Sequence, residues 1–330
     1  MNIRLSILFI SLLFLANAVH AQNQKEDTTY IKKFKRVYNI QINNWLTDVD
    51  LVFSPKRVNR NVTVRLFPNV KLQSGVSLGF KRFTLAVGFQ LPHTQSDEKR
   101  YGKTDYYDIS FGYFQRKFGG EVYYRYFKGM MRGGNDLAAE QIRPDVFISN
   151  GGFNFFYAVN HKKFSMRSAI SQQEQQRISA GSPVLLANLQ FRNLRADSSI
   201  IAKPVDNADY FSMSGLTQMR YVTLNLKPGY AYNFVGASGN WFFSPSAFVG
   251  VGTGWFNNNT SDGFKKGLPL DLSFHSKNIL GINHENWFAS VYYIYDGSLN
   301  ILKKNFMMLN THCVGVNIGY RFNSIGIKWL

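Results

Sequence analysis

The stretch RYVTLNLKPGYAYNF, residues 220–234, alternates between two unlike faces. Val222, Leu224, Leu226, Tyr230, Tyr232 and Phe234 fall on one side. Tyr221, Thr223, Asn225, Lys227, Gly229, Ala231 and Asn233 fall on the other. Side chains alternate faces along a strand, so this is a strand with one apolar face and one wet, small-residue face. It is also longer than an ordinary globular strand. The pattern returns at Met308 to Phe322, where Val314, Val316, Ile318, Tyr320 and Phe322 oppose Thr311, Cys313, Gly315, Asn317, Gly319 and Arg321. A lipid-facing exterior around a polar lumen produces such strands, so the fold class expected is all-β, a transmembrane antiparallel β-barrel.

Outward from these two stretches, strands pair across short connections and part across long ones. Asn61 to Phe80 turns at Lys81-Arg82 into Phe83 to Leu91. Thr104 to Gln115 turns at Arg116-Lys117-Phe118 into Gly119 to Phe127. Asp145 to Val159 turns at Asn160-His161-Lys162 into Lys163 to Ser171. Arg220 to Phe234 turns into Trp241 to Trp255, and Leu268 to Ile282 turns at Asn283 to Asn286 into Trp287 to Tyr295. With a first strand near Leu46 to Phe53 and a last at Met308 to Phe322, the count is about twelve. Polar loops separate the hairpins, the largest running from Gln172 to Met219. Short periplasmic turns and longer outer loops are the asymmetry of such barrels. Inside the large loop, Pro183 to Phe191 also reads as a strand. Staying outside, it leaves twelve; spanning with a partner near Tyr210, it gives fourteen. Phe53, Tyr106, Tyr107, Tyr124, Tyr126, Trp241, Trp255, Trp287 and Tyr320 fall near strand ends, where amphipathic rings suit a membrane–water boundary.

The N-terminus carries Arg4, the apolar run Leu5 to Leu15, then Val19-His20-Ala21. This predicts a secretory signal peptide over residues 1–21, cut after Ala21, because the run is short of the roughly 20 residues a spanning helix needs. Residues 22–45 are expected to form a periplasmic segment and residues 46–330 the barrel, placed in the outer membrane. The net charge of +18 favours anionic partners such as lipid head groups or phosphates. The basic residues are scattered and match no nucleic-acid-binding motif, so nucleic acid is not an expected partner. Cys313 is the one cysteine, which excludes an intramolecular disulfide.

Three stretches resemble a known family. Phe67-Pro68-Asn69 with Gly75, Gly79 and Lys81 resembles one strand–turn signature. Gly102-Lys103-Thr104, Asp108, Arg116-Lys117 and Tyr124-x-Tyr126-x-Lys128-Gly129 resemble the next hairpin, and Gln173 to Ser182 is similar to a polar segment ending Ser-Ala-Gly-Ser. The family is an uncharacterised outer-membrane β-barrel family of Gram-negative bacteria, DUF4421-like. The resemblance implies a secreted envelope barrel and carries no activity, cofactor or catalytic residue with it.

Alternation assigns Arg65, Asp108, Glu121, Arg125, Arg167, Asp271, His275, Lys277, Asp296 and Arg321 to the lumen. Buried charges are costly unless paired, so these are expected to form a cross-strand network or to line a conduit or pocket. Asp271, Ser273, His275 and Lys277 share one face of a strand. Ser273 and His275 could approach, with Asp271 too far for a relay, and polar lining is the plainer reading. Neither His93, His161, His275, His284 nor His312 has metal-ligand spacing, so no metal, cofactor or catalytic set is expected. Gly250, Gly252 and Gly254 alternate inward and leave room in the lumen. The function expected is a narrow channel or a binding scaffold for an anionic or lipidic molecule. Alternatives are an outer-membrane enzyme acting on lipid or glycan, and a structural or partner-docking envelope protein. Outer-membrane lipid and the barrel-assembly machinery are the partners implied.

Overall fold

Strand after strand hydrogen-bonds to its neighbour until the last meets the first. The computed structural model describes residues 28–56, 63–92, 94, 98–134, 140–201, 213–260, 263–302 and 305–323. Its strands are β1 (Ile31–Lys33), β2 (Tyr38–Pro55), β3 (Val64–Phe67), β4 (Leu72–Phe80), β5 (Phe83–Gln90), β6 (Asp105–Phe114), β7 (Phe118–Gly133) and β8 (Gln141–Ala158). They continue as β9 (Glu174–Gln176), β10 (Ala180–Arg195), β11 (Gln218–Val235), β12 (Trp241–Thr260), β13 (Gly263–Gly267), β14 (Leu270–Asn283), β15 (Trp287–Ile301) and β16 (Asn305–Phe322). Two single-turn helices are α1 (Glu98–Tyr101) and α2 (Met166–Ala169).

The ring runs β2, β4, β5, β6, β7, β8, β10, β11, β12, β14, β15, β16 and back to β2, with every pair antiparallel. Closure by β16 against β2, from Phe322↔Tyr38 to Asn305↔Pro55, leaves no open edge in the wall. This is the expected transmembrane β-barrel, and its wall has twelve strands. Even parity puts Tyr38 and Phe322, where the wall begins and ends, at one end, here called proximal, together with the tight turns after β4, β6, β11 and β14 and the longer connection from β8 to β10; the other connections lie at the distal end. The outward face is apolar: Leu224, Leu226, Val249, Val316 and Ile318 are exposed, while Asn225 and Asn233 on the inner face are buried. Such an exterior suits hydrocarbon, where every backbone polar group is matched within the wall. Trp241, Trp287 and Tyr320 lie outward near the proximal rim, and Tyr107, Tyr124, Tyr126 and Trp255 outward toward the distal one. Phe53 and Tyr106 depart from the boundary expectation: both point inward and are buried.

The membership of the ring differs from the expected one at one hairpin. Lys163 to Ser171 is not a strand; it is a turn and α2, tucked inside the proximal end. The twelfth wall strand is β10, which pairs with β8 through Val184↔Ala158 and with β11 through Leu189↔Leu224. Pro183 is tolerated because it stands just before the β8 ladder begins, where a missing N–H breaks little. With β10 paired on both sides, the wall has no place for two extra strands; Tyr210 lies outside the described residues. The expected large outer loop is therefore two connections at opposite ends, one proximal before Ala180 and one distal after Arg195.

Two boundaries also shift. The first wall strand begins at Tyr38 rather than Leu46, so residues 38–45 belong to the barrel and not to a periplasmic lead-in. The expected strand from Asn61 to Phe80 is broken at Pro68 into β3 and β4, residues 61 and 62 lying outside the described residues. β3 bridges β2 and β7 above the shorter β4, β5 and β6, through Phe53↔Val64 and Phe67↔Met131. The signal-peptide residues 1–21 lie outside the described residues.

Candidate functional site

The interior is layered. A polar chamber of about 420 Å³ occupies the middle of the barrel, between an apolar core at the distal end and a polar plug at the proximal end. Its charged lining comprises Arg125, Arg192, Lys227 and Lys277 against Asp108, Glu121, Asp271 and Asp296, with His275 beside them. Cations and carboxylates balance there, so the chain's basic excess lies elsewhere. Several of these groups meet because antiparallel register places them directly opposite. Asp108 faces Arg125, whose Nε donates to Oδ2 at 2.7 Å, and Tyr106 donates to the same oxygen at 3.2 Å. His275 faces Asp296, with Nδ1 and Oδ1 2.9 Å apart. Asn225 Nδ2 donates to Asp271 at 3.2 Å, and Asn188 Nδ2 to Asn154 at 2.7 Å. The Trp45 ring lies over Gly75 and Gly88, where an added Cβ would strike it.

The plug is the proximal connection between β8 and β10. Its run Gln172-Gln173-Glu174-Gln175-Gln176 fastens successive turns of the rim. Glu174 is buried and accepts from Arg116 Nε at 3.1 Å, Arg167 Nη1 at 2.9 Å and Ser165 Oγ at 2.7 Å. Arg167 also donates to the Lys81 carbonyl at 2.7 Å. Gln172 donates to Ser290, and Gln175 to the carbonyls of Gly239 and Asn283. Gln176 accepts from the Ser165 N–H and donates to the Lys163 carbonyl. β9 takes β1 as a second strand, Ile31↔Gln176 to Lys33↔Glu174. Arg321 donates to the carbonyls of Gln172 and His284 and stacks its guanidinium 3.7 Å from the Phe34 ring centroid. Below the plug, Lys32 Nζ lies 2.6 Å from Glu285 Oε2 in the β14–β15 turn, and that bond holds the Glu285 carboxyl below the usual carboxylate range.

At the distal end the inward residues turn apolar. Leu51, Phe53, Val64, Leu66, Met130, Val146 and Leu194 pack with Ile200, Ile201, Met213 and Leu216 from the connection after β10. Arg132 donates to the Ile200 carbonyl at 2.6 Å, and Arg143 to the carbonyls of Ser198 and Ser199 at 2.9 Å. The step from β3 to β4 is stitched to the wall by Asn69 Nδ2 on the Gly102 carbonyl and Thr104 Oγ1 on the Gly129 carbonyl.

Of the ten residues assigned to the lumen, Asp108, Glu121, Arg125, Asp271, His275, Lys277 and Asp296 line the chamber. Arg167 and Arg321 are interior but sit at the plug, Arg167 within it on a helix and Arg321 bonded to it from β16. Arg65 points outward, 2.6 Å from Asp50 on the outer face of β2. The break at Pro68 inverts the alternation: Val64 and Leu66 face inward in β3, Gln73, Gly75 and Ser77 in β4. Arg192, Asn188 and Gln190 are absent from the expected set because Pro183 to Phe191 reads in the sequence as an outer hairpin. The alternation Asn188, Gln190, Arg192 against Leu189, Phe191 was the signal available. Glu174 is absent as well, having no wall strand to alternate on.

Chemically, the chamber can bind and orient polar groups. The strand neighbours Asp271, Ser273 and His275 do not form a relay, since His275 is held by Asp296 from the next strand. Among the described residues, no three His, Cys, Asp or Glu side chains converge as a metal-binding group.

Solved structures resemble this chain in form. The outer membrane protease OmpT from Escherichia coli shares 7% identity at a TM-score of 0.43, covering 91% of this chain and 99% of that one. The β domain of the Bordetella autotransporter BrkA shares 10% at 0.42, covering 87% and 100%. The translocator domain of the autotransporter NalP from Neisseria meningitidis shares 11% at 0.37, covering 97% and 96%. At these TM-scores the likenesses say nothing of function. No curated protein matches the sequence. The model of one protein family, described as a domain of unknown function, matches residues 25–322, and the chain belongs to that family, DUF4421.

Proposed function

We propose that the chain is a plugged outer-membrane barrel that serves as a binding scaffold for a small polar molecule, and not as an open conduit. The observation that supports this reading is the filling of the barrel on both sides of the chamber. The Gln172–Gln176 network crosses the proximal end, and Leu51, Phe53 and Leu66 pack with Ile200, Ile201 and Leu216 toward the distal one. The apolar exterior supports placement in a lipid bilayer, and the tight turns after β4, β6, β11 and β14 support a periplasmic position for the proximal end. Outer-membrane lipid is then the surrounding solvent and the barrel-assembly machinery the route of insertion. The balance of four cations and four carboxylates speaks against an anion-selective lining.

Single-channel recording in planar bilayers tests the reading. Protein whose insertion is verified by heat-modifiable migration is expected to give no current above that of barrel-free bilayers. Steady conductance steps from the wild type would overturn the plugged-scaffold reading in favour of a conduit.

A further inference from the structure

On one side of the chamber, buried polar atoms stand without hydrogen-bond partners. Arg192 leaves Nε and Nη1 unpaired while Nη2 donates to Gln190 at 3.0 Å. Asp271 leaves Oδ1, Asn225 its Oδ1, Ser273 its Oγ and Thr223 its Oγ1. All five side chains are more than nine-tenths buried: Arg192 is 3% exposed, Asp271 1%, Asn225 2%, Ser273 6% and Thr223 0%. Folded proteins pair nearly all such atoms, with protein groups, water or ligand.

The topology brings them together. β10 carries Arg192, β11 carries Thr223 and Asn225, and β14 carries Asp271 and Ser273, with only β12 between β11 and β14. On the inner face of β12 stand Gly250 and Gly252, in register with Ser273 and Asp271 on one side. A Cβ at Gly250 would lie 2.9 Å from Ser273 Oγ, and one at Gly252 would overlap the Asn225 amide. The glycines thus let Asn225 reach across β12 to Asp271, with the Lys227 stem packed over Gly250 beside it. Arg192 and Asp271 both line the chamber, and no ion pair within 4.0 Å joins them among the described residues.

We propose that this side of the chamber binds a free α-amino acid, its carboxylate on the Arg192 guanidinium and its ammonium on Asp271 Oδ1 and Asn225 Oδ1. Guanidinium and carboxylate partners match in charge and geometry, and a zwitterion supplies one counter-charge to each group without charging the chamber. Ser273, which also lines the chamber, offers a hydroxyl to a polar side chain. The inference rests on the closed-chamber reading, since an open lumen would let bulk water satisfy these atoms.

The test is retention. The mature protein is unfolded in urea, refolded into detergent with an isotope-labelled mixture of the proteinogenic amino acids, stripped by gel filtration and denatured for mass spectrometry. The wild type is expected to retain about one amino acid per chain, selected from the mixture. Asp271→Asn and Arg192→Gln, chosen to keep hydrogen-bonding capacity, are expected to retain at least tenfold less while migrating as folded, heat-modifiable barrels. Should one variant fail to fold, the other decides. A wild type that retains none, its chamber holding water alone, overturns the proposal, as does equal retention by a folded variant. Bilayer silence without retention would remove the site and leave the plugged barrel; retention with steady conductance would remove the closed chamber instead.

Discussion

Glu174 gathers Arg116, Arg167 and Ser165 around one carboxylate that solvent does not reach. Removing one partner of a buried ionic group leaves the others uncompensated, at a cost of about 3–5 kcal/mol. Glu174→Gln is therefore expected to destabilise the folded barrel by that order, read as a lowered midpoint of heat-modifiable migration. An unchanged midpoint would mean that the plug contributes nothing to the rim. Glu285 is the contrasting case, half-exposed and paired with Lys32. Its carboxyl is held below the ordinary value, so it titrates lower when folded than when unfolded. The stabilisation is then complete above the unfolded value of about 4.3 and is lost as pH falls through the depressed one. Hydrogen exchange at residues 28–36 is expected to quicken as pH falls below 4.3, after correction for intrinsic rates, and Glu285→Gln is expected to remove that dependence.

At the scale of the element, alternation made most wall strands legible, since β11 and β16 have apolar and polar residues in strict period two. It failed where period two was interrupted or absent. Pro183 disguised β10 as a loop, although its missing N–H falls just outside the β8 ladder. Pro68 divided β3 from β4 and reversed the faces, which sent Arg65 outward to Asp50. The plug was illegible because its order comes from partners distant in sequence, Glu174 with Arg116 and Gln172 with Ser290. Most of the chamber's lining was nonetheless readable, because a side chain's face follows from parity once the strand is known. β10 can be tested as wall or loop. Leu189 faces outward, paired with Phe153 on β8 and Leu224 on β11, both exposed to the surroundings. A basic residue facing lipid near mid-membrane costs about 2–4 kcal/mol. Leu189→Arg is expected to lose about that much stability in lipid vesicles, by urea unfolding followed through tryptophan fluorescence. A loss under about 0.5 kcal/mol, as for ordinary surface sites, would return residues 180–195 to a solvated loop.

The whole molecule divides its interior by height: hydrogen-bonded polar plug, charge-balanced chamber, apolar distal core. Each layer lies inside one closed wall whose outer surface is fit for hydrocarbon. Site-directed fluorescence tests wall and seals together. In a Cys313→Ala background, single cysteines at Leu224, Asn225, Leu226 and Lys227 are labelled with bimane after unfolding, and the protein is refolded into vesicles. Labels at positions 224 and 226 are expected to be quenched by brominated lipid, and labels at 225 and 227 by neither brominated lipid nor aqueous iodide. Iodide quenching at 225 and 227 would show an open lumen, and absence of lipid quenching at 224 and 226 would contradict the membrane-spanning barrel itself.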